Sequence, residues 1–208
     1  HIFTAISGMP PSEISTGDLA VYRDSGANWP LVHGYGALIE ARYAGLPVER
    51  STPVSSIDTS GSQILIETPR GTVRARSLIV TVSTNVLASG AIRFTPELPA
   101  GLQTALTHVP TGHANKVAFH FRRDVFGLPE TSYVNFMDER DPSRPASSFQ
   151  INPFGSNLAI AYLGGDLAEG LDRTGEAEMI SFARAALSDM FGTDIFKEMT
   201  GVAATRWT

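Results

Sequence analysis

Residues 116–121 alternate strictly between two kinds of side chain, and this alternation limits the fold more narrowly than any other feature of the chain. Every second side chain is aliphatic or aromatic and falls on one face, while the intervening side chains fall on the other. The first set is Val117, Phe119 and Phe121, and the second set is Lys116, Ala118 and His120. A period of two is that of a β-strand, so we predict a strand with a strongly apolar face.

Three shorter extended runs and one continuous apolar run precede this strand. The shorter runs cover residues 52–58, 63–68 and 72–76, and turn-forming segments with Gly61 and Gly71 separate them. This arrangement predicts a β-meander. Residues 78–82 (Leu-Ile-Val-Thr-Val) form the apolar run, which is typical of a strand buried on both faces in a parallel sheet.

Helical and further extended patterns fill the remainder of the chain. Helices are predicted over residues 36–44, 97–109 and 175–191, the last with Thr174 as its N-cap. Strands are predicted over residues 133–136, 148–151, 158–163 and 202–207. The predicted fold class is mixed α/β of the α+β type: a β-meander and a buried strand, followed by a mainly antiparallel sheet with helices.

The composition excludes several classes of site and partner. The chain has no Cys, which excludes disulfides, cysteine nucleophiles and thiolate metal sites and leaves the redox compartment open. A net charge of −5 argues against nucleic acid as a partner. No apolar run approaches the roughly 18 residues of a membrane span, so no membrane partner is expected. The cytoplasm is the expected location.

Motifs for nucleotides, metals and hydrolases are incomplete or missing. Gly34 and Gly36 begin a dinucleotide-binding fingerprint, but Ile39 stands at its third glycine position. The sequence has no Walker, G-x-S-x-G or H-E-x-x-H motif. The three histidines between residues 108 and 120 lack the spacing of zinc ligands, so no metal site is expected.

Lysine is scarce in this chain, and Lys116 stands at the start of the apolar strand. Of the 16 basic residues only Lys116 and Lys197 are Lys. Burying an ammonium group without a partner is costly and would lower its pKa. Two explanations stay open: Lys116 lies at the mouth of the strand and extends to water, or it points into a cleft and holds a water or an electron-rich cofactor atom. The spacing alone favours the first.

Short motifs between residues 30 and 121 resemble, in order, those of the flavin-dependent amine oxidases, which include monoamine, polyamine and L-amino-acid oxidases. They are residues 32–38, similar to the glycine-rich turn GGxGxL; residues 53–57, similar to the strand xPVxxI; the meander with Gly71 and Ala75 and the run 78–82; residues 92–99, similar to I-x-F-x-P-x-L-P; and residues 115–121, similar to xKVxxxF. Residues 205–207 (Thr-Arg-Trp) are similar to the family's xxRW. Each motif is weak alone, and their order carries the resemblance.

The resemblance implies a role for each matching residue. Lys116 matches the lysine that reaches flavin N5 through a water, and Val54 matches the position whose backbone meets the adenine end of FAD. Gly34 and Gly36 match the turn that lines the cleft near the flavin, and Trp207 matches a tryptophan packed near the isoalloxazine. The implied reaction transfers hydride from the α-carbon of a small amine to FAD; the imine then hydrolyses and O₂ reoxidises the flavin, giving peroxide.

Three positions depart from the family's pattern. His33 stands where the family often has its first glycine, Ala37 where some members place a substrate-contacting glutamine, and Ser83 where a proline usually follows the buried strand. These departures leave the identity of the amine open.

Two flavin-binding segments of the family have no match among the 208 residues, namely the N-terminal G-x-G-x-x-G turn and the C-terminal flavin segment. The chain also begins at His1 rather than Met. We therefore expect the central part of an amine oxidase. Residues 1–31 would be a lead-in from the substrate domain, residues 32–90 a partial FAD-binding domain, and residues 91–208 the substrate-binding domain. FAD is the cofactor expected for the full-length protein, and the isolated chain is expected to bind it poorly and to be inactive.

Two other functions stay open. A non-enzymatic ligand-binding or interaction module with the substrate-domain fold would expose sheet edges and apolar surface, so a homodimer would be expected. A flavin desaturase or a protein like protoporphyrinogen oxidase would share the meander with amine oxidases. The effect of replacing Lys116 on flavin reduction by amines distinguishes this last class.

Overall fold

A computed structural model describes residues 2–27, 29–141 and 143–207. The chain divides into two compact units. The first unit contains the residues up to Val32 together with those from Gly112 onward, and the second unit runs from His33 to Thr111. The functional assignment of residues 1–31 and 91–208 to a substrate-binding domain, and of residues 32–90 to an FAD-binding domain, stays a prediction.

The described helices are mostly short. They are α1 (Ile2–Ser7), α2 (Thr16–Val21), α3 (Tyr35–Tyr43), α4 (Thr84–Ala88), α5 (Ala100–Leu106), α6 (Gly165–Thr174) and α7 (Glu176–Phe191), with 3₁₀ turns at Pro11–Glu13, Pro153–Gly155 and Thr193–Glu198. The strands are β1 (Ser56–Asp58), β2 (Ile64–Thr68), β3 (Gly71–Ala75), β4 (Arg93–Thr95), β5 (Ala114–Phe121), β6 (Ser132–Phe136), β7 (Ser147–Ile151), β8 (Leu158–Gly164) and β9 (Met199–Ala204). No described helix combines the length and the apolar character needed to cross a bilayer.

The second unit contains a four-stranded sheet in the order β3-β2-β1-β4. Strand β1 pairs antiparallel with β2, and β2 pairs antiparallel with β3, which confirms the predicted meander. Strand β4 pairs with β1 in parallel. Its buried apolar side chains are few, with Ile57, Ile66, Ile92 and Leu106 the principal ones. This small core leaves much of the unit's apolar surface exposed to solvent.

The prediction of a buried strand over residues 78–82 is wrong. These residues form no strand, and Ile79 is 86% exposed. An apolar run becomes a strand only where a neighbouring strand takes up its backbone hydrogen bonds. Among the described strands none pairs with this run, and the sheet of this unit contains only β3, β2, β1 and β4 within the described residues.

The first unit contains a five-stranded antiparallel sheet in the order β6-β7-β8-β5-β9. Strand β5 alternates as predicted: Val117, Phe119 and Phe121 are fully buried, while Lys116 and His120 are exposed. Helix α7 covers the buried face with Met179, Ala183, Ala186 and Leu187, which recur at helical spacing. The opposite face of the sheet carries the polar residues described below.

The prediction of Thr174 as the N-cap of α7 is wrong, because Thr174 belongs to the preceding helix α6, which the sequence pattern did not predict. Thr174 is the last residue of α6, and its hydroxyl donates to the carbonyl of Leu171. Gly175, with φ of 108°, then separates α6 from α7 and precedes α7 without a side-chain cap. A positive φ of this kind favours glycine, so the helix boundary is set by Gly175 rather than by a hydroxyl cap.

Candidate active site on the open face of the antiparallel sheet

Lys116 lies on the face of the five-stranded sheet that is turned away from the core. It is exposed, and its position in β5 is directly opposite Tyr162 in β8. Ser148 in β7 and Asn135 in β6 continue the same row across the sheet. The ammonium nitrogen of Lys116 lies 5.3 Å from the centre of the Tyr162 ring. The ammonium group is therefore not buried, and it is presented on an open face.

A chain of hydrogen bonds runs from Tyr162 across two more strands. The Tyr162 hydroxyl donates to Oε1 of Gln150 at 3.0 Å, and Nε2 of Gln150 donates to the hydroxyl oxygen of Tyr133 at 3.0 Å. Gln150 is only 8% exposed, so both ends of its amide are satisfied inside the protein. Burial raises the pKa of Tyr162, and nearby Tyr133 raises it further. The Tyr162 phenol therefore stays protonated at neutral pH and acts as a donor.

The segment 205–207 lies beside Lys116 because buried Asn115 holds it there. The amide of Lys116 donates to the Thr205 hydroxyl at 2.8 Å, and the Thr205 amide donates to the Lys116 carbonyl at 2.9 Å. Oδ1 of Asn115 accepts from the Thr205 hydroxyl and from the Trp207 amide, both at 3.3 Å. The structure thus brings together the strand of Lys116 and the segment of Trp207.

Arg206 anchors the same segment to helix α6. Its Nε lies 3.2 Å from Oδ1 of Asp172, whose side chain is almost fully buried. Trp207, by contrast, is 77% exposed. The backbone of the segment is fixed on both sides while its aromatic side chain remains free to contact a ligand.

A cleft of about 180 Å³ adjoins the row of Lys116 and Tyr162. Tyr162 and Ser148 line it from the sheet, Thr4 and Ala5 from α1, and Asp166 from α6. The cleft therefore joins an aromatic ring, a hydroxyl and a carboxylate within the first unit. Sequence reasoning missed Tyr162, which is hidden in an otherwise apolar strand pattern and is placed beside Lys116 only by the pairing of β5 with β8.

The other three predicted site residues belong to the second unit. Gly34 has a φ of 82° and immediately precedes helix α3, and a side chain at Gly34 or Gly36 would meet no other atom within 4 Å. This turn is open to solvent, so a ligand can approach its backbone closely. Val54 is half-buried in the extended segment that leads into β1.

Lys116, Trp207 and the turn at Gly34 and Gly36 all present accessible surface. Within the described residues no cluster of three or more His, Cys, Asp or Glu side chains could hold a metal ion. The accessible groups that could contact an organic cofactor are, in the second unit, backbone groups of Gly34 and Gly36 and, in the first unit taken by itself, the Lys116 cation and the Trp207 aromatic surface.

Comparison with curated proteins finds relatives that are much longer than this chain. Polyamine oxidase 4 of Oryza sativa subsp. japonica is 25% identical over 187 residues, which cover 88% of this chain and 37% of that protein. Lysine-specific histone demethylase 2 of Homo sapiens is 25% identical over 185 residues, which cover 86% of this chain and 22% of that protein. The chain thus spans between about a fifth and two fifths of the length of these two relatives.

The fold and the family model agree with these relatives. Cyclohexylamine oxidase from Brevibacterium oxydans IH-35A superposes with a TM-score of 0.52 at 20% identity, over 75% of this chain and 34% of that chain. Residues 10–208 match the family model for flavin-containing amine oxidoreductases. Because that match covers almost the whole chain, the chain belongs to the family of flavin-containing amine oxidoreductases.

Proposed function

We propose that this chain is the central part of an FAD-dependent amine oxidase, with part of its FAD-binding domain and its substrate-binding domain. The parent enzyme would oxidise a small amine to an imine. The observation that carries the proposal is Lys116, presented on the open face of the antiparallel sheet beside the segment of Trp207. The names of three similar proteins refer to polyamines, to the lysine of histones and to cyclohexylamine. All three names point to amines, which supports an amine as the class of substrate.

The residues of this chain would bind and orient, while FAD supplies the chemistry of accepting a hydride and returning the electrons to O₂ to give peroxide. The ammonium group of Lys116 offers three N–H donors above the sheet, and one of them would hold a water. The exposed Trp207 indole would provide a flat apolar surface. The backbone at Gly34 and Gly36 and the segment at Val54 would contact the cofactor.

We expect the isolated 208-residue chain to purify without a stoichiometric flavin band in its visible spectrum. The family's pyrophosphate-binding turn, G-x-G-x-x-G, does not occur in this sequence, and the dipole and free amides of that turn contribute much of the affinity for the cofactor. A visible absorption spectrum after addition of excess FAD and gel filtration provides the measurement. A flavin-to-protein ratio near one would contradict this part of the proposal.

In the flavin-loaded parent protein, Lys116→Met is expected to slow flavin reduction by the amine about 10–100-fold, the effect of losing one charged hydrogen-bond donor. Methionine has a similar length and keeps the apolar stem while removing the donor. Anaerobic stopped-flow measurement of flavin absorbance gives the rate directly. Unchanged reduction kinetics would favour another class of flavoprotein substrate.

The matched control is Lys197→Met, which changes the only other lysine of the chain. Lys197 is exposed and pairs with Asp194 at 2.7 Å, in the 3₁₀ turn before β9. Its replacement also removes one positive charge from the protein, but the Lys116 charge beside Tyr162 is kept. We expect flavin reduction in this control to be unchanged, and an equal loss in both variants would indicate a general effect of charge.

A further inference from the structure

Lys116 is held by an aromatic ring and not by a carboxylate. Within the described ranges no ion pair involves Lys116, whereas Lys197 pairs with Asp194 at 2.7 Å. The partner that the structure gives to the Lys116 ammonium is the Tyr162 ring, at 5.3 Å from its centre. A cation is attracted to the face of an aromatic ring without being neutralised by it. The charge of Lys116 therefore stays available to a ligand.

The Tyr162 ring is itself held in place from the next strand. Its hydroxyl donates to Gln150, and the Gln150 amide in turn donates to Tyr133, so that the three side chains link β8, β7 and β6. Gln150 is almost fully buried and has few orientations open to it. A ring whose hydroxyl is hydrogen-bonded to a buried side chain presents a fixed face, whereas a ring without that hydrogen bond would be free to change its rotamer.

The position of Tyr162 also relates Lys116 to the cleft described above. Tyr162 lines that cleft together with Ser148 and Asp166, while the face of its ring lies under the Lys116 ammonium. One side chain thus contacts both the lysine and the space in which a small molecule would lie. The lysine side chain alone has four rotatable bonds and would not hold its nitrogen at one point.

We propose that Tyr162 is a positioning residue that aligns the Lys116 ammonium on the open face of the sheet, and that Gln150 is the residue that holds Tyr162 in position. The purpose of this alignment, to place a donor against a flavin, rests on the proposed function. The alignment itself is a property of this chain and is measurable without flavin. A failure of the proposed alignment is therefore distinguishable from a failure of the proposed function.

The scarcity of lysine allows a direct measurement. Reductive methylation with ¹³C-formaldehyde labels Lys116, Lys197 and the amino terminus, and dimethyl-lysine keeps its positive charge at neutral pH. Lys197→Arg assigns the two lysine signals in a ¹H–¹³C correlation spectrum. A nitrogen held over the face of a ring experiences its shielding, so we expect the Lys116 methyl resonance upfield of that of Lys197. Coincident methyl resonances of Lys116 and Lys197 in the protein without substitutions would overturn the proposal.

Three substitutions distinguish the effect of the Tyr162 ring from the effect of its hydrogen bond to Gln150. Tyr162→Leu removes the ring, and the upfield shift of Lys116 is expected to disappear. Tyr162→Phe keeps the ring but removes the bond to Gln150, and Gln150→Leu removes the same bond from the other side. We expect both to reduce the shift, because the ring is then free to turn. Far-UV circular dichroism verifies that each variant folds.

The matched control is Tyr35→Leu, which removes an exposed tyrosine from the start of α3 in the other unit. It is expected to leave the Lys116 resonance in place. A shift that survives Tyr162→Leu in a folded protein would show that another group holds Lys116. A shift unchanged by both Tyr162→Phe and Gln150→Leu would overturn the role assigned to Gln150.

Discussion

Gly164→Ala is expected to lower the free energy of unfolding by about 1–3 kcal/mol and to release helix α1 from the sheet. The added methyl group would collide with the Thr4 carbonyl oxygen and would lie 2.6 Å from Cα of Ala5. Both are backbone atoms of α1, so no side-chain rotation relieves the collision. The backbone angles of Gly164, φ −145° and ψ 161°, suit any residue, which leaves the collision as the only cause.

The consequence for the site follows from the position of α1. Thr4 and Ala5 line the cleft beside Tyr162, so displacing α1 opens that cleft to solvent. We expect faster hydrogen exchange at the amide of Gly8, which donates to the Thr4 carbonyl at 2.8 Å. Urea unfolding measures the stability, and hydrogen exchange measured by mass spectrometry reports on α1.

The matched control is Gly170→Ala, in the interior of α6. A side chain there would meet no other atom within 4 Å, and alanine is favoured over glycine inside a helix by about 0.5–1 kcal/mol. The same chemical change should therefore stabilise the protein at Gly170 and destabilise it at Gly164. A stable Gly164→Ala variant with slow exchange at Gly8 would show that α1 does not pack against β8 as described.

Local sequence patterns predicted those strands and helices that bury one face and expose the other, because apolar residues then recur with the period of the element. Strand β5 alternates because α7 covers one of its faces, and α7 itself follows a helical spacing of buried residues. The run 78–82 was mispredicted because its strand character depends on a partner, which local composition does not reveal. Helix α6 was missed because its glycines at both ends resemble a turn.

The candidate site was predictable in part, for a similar reason. Lys116 is conspicuous in the sequence, because it is one of two lysines and stands in an alternating apolar pattern. Tyr162, Gln150 and Asn115 carry no local signal, since their roles depend on which strands are neighbours and in which register. Pairing β5 with β8 places Tyr162 opposite Lys116, and pairing β8 with β7 places Gln150 within reach of Tyr162.

Phe119→Ala is expected to lower the free energy of unfolding by about 3–5 kcal/mol. The Phe119 side chain is fully buried, and its ring meets that of Phe196 edge to face with 6.0 Å between the ring centres. Truncation leaves a cavity that the surrounding sheet and α7 cannot fill by small movements. A loss of this size is a large fraction of the stability of an ordinary domain.

The control for Phe119→Ala is Lys116→Met, three residues earlier on the opposite face of the same strand. Its side chain is exposed and contacts the Tyr162 ring, so its replacement should change the free energy of unfolding by less than about 1 kcal/mol. Urea unfolding of both variants tests whether the two faces of β5 are independent. If they are, a slow rate of flavin reduction in Lys116→Met reports on chemistry and not on folding. Comparable destabilisation by the two substitutions would mean that Lys116 supports the core, and its proposed role toward the cofactor would lose its structural basis.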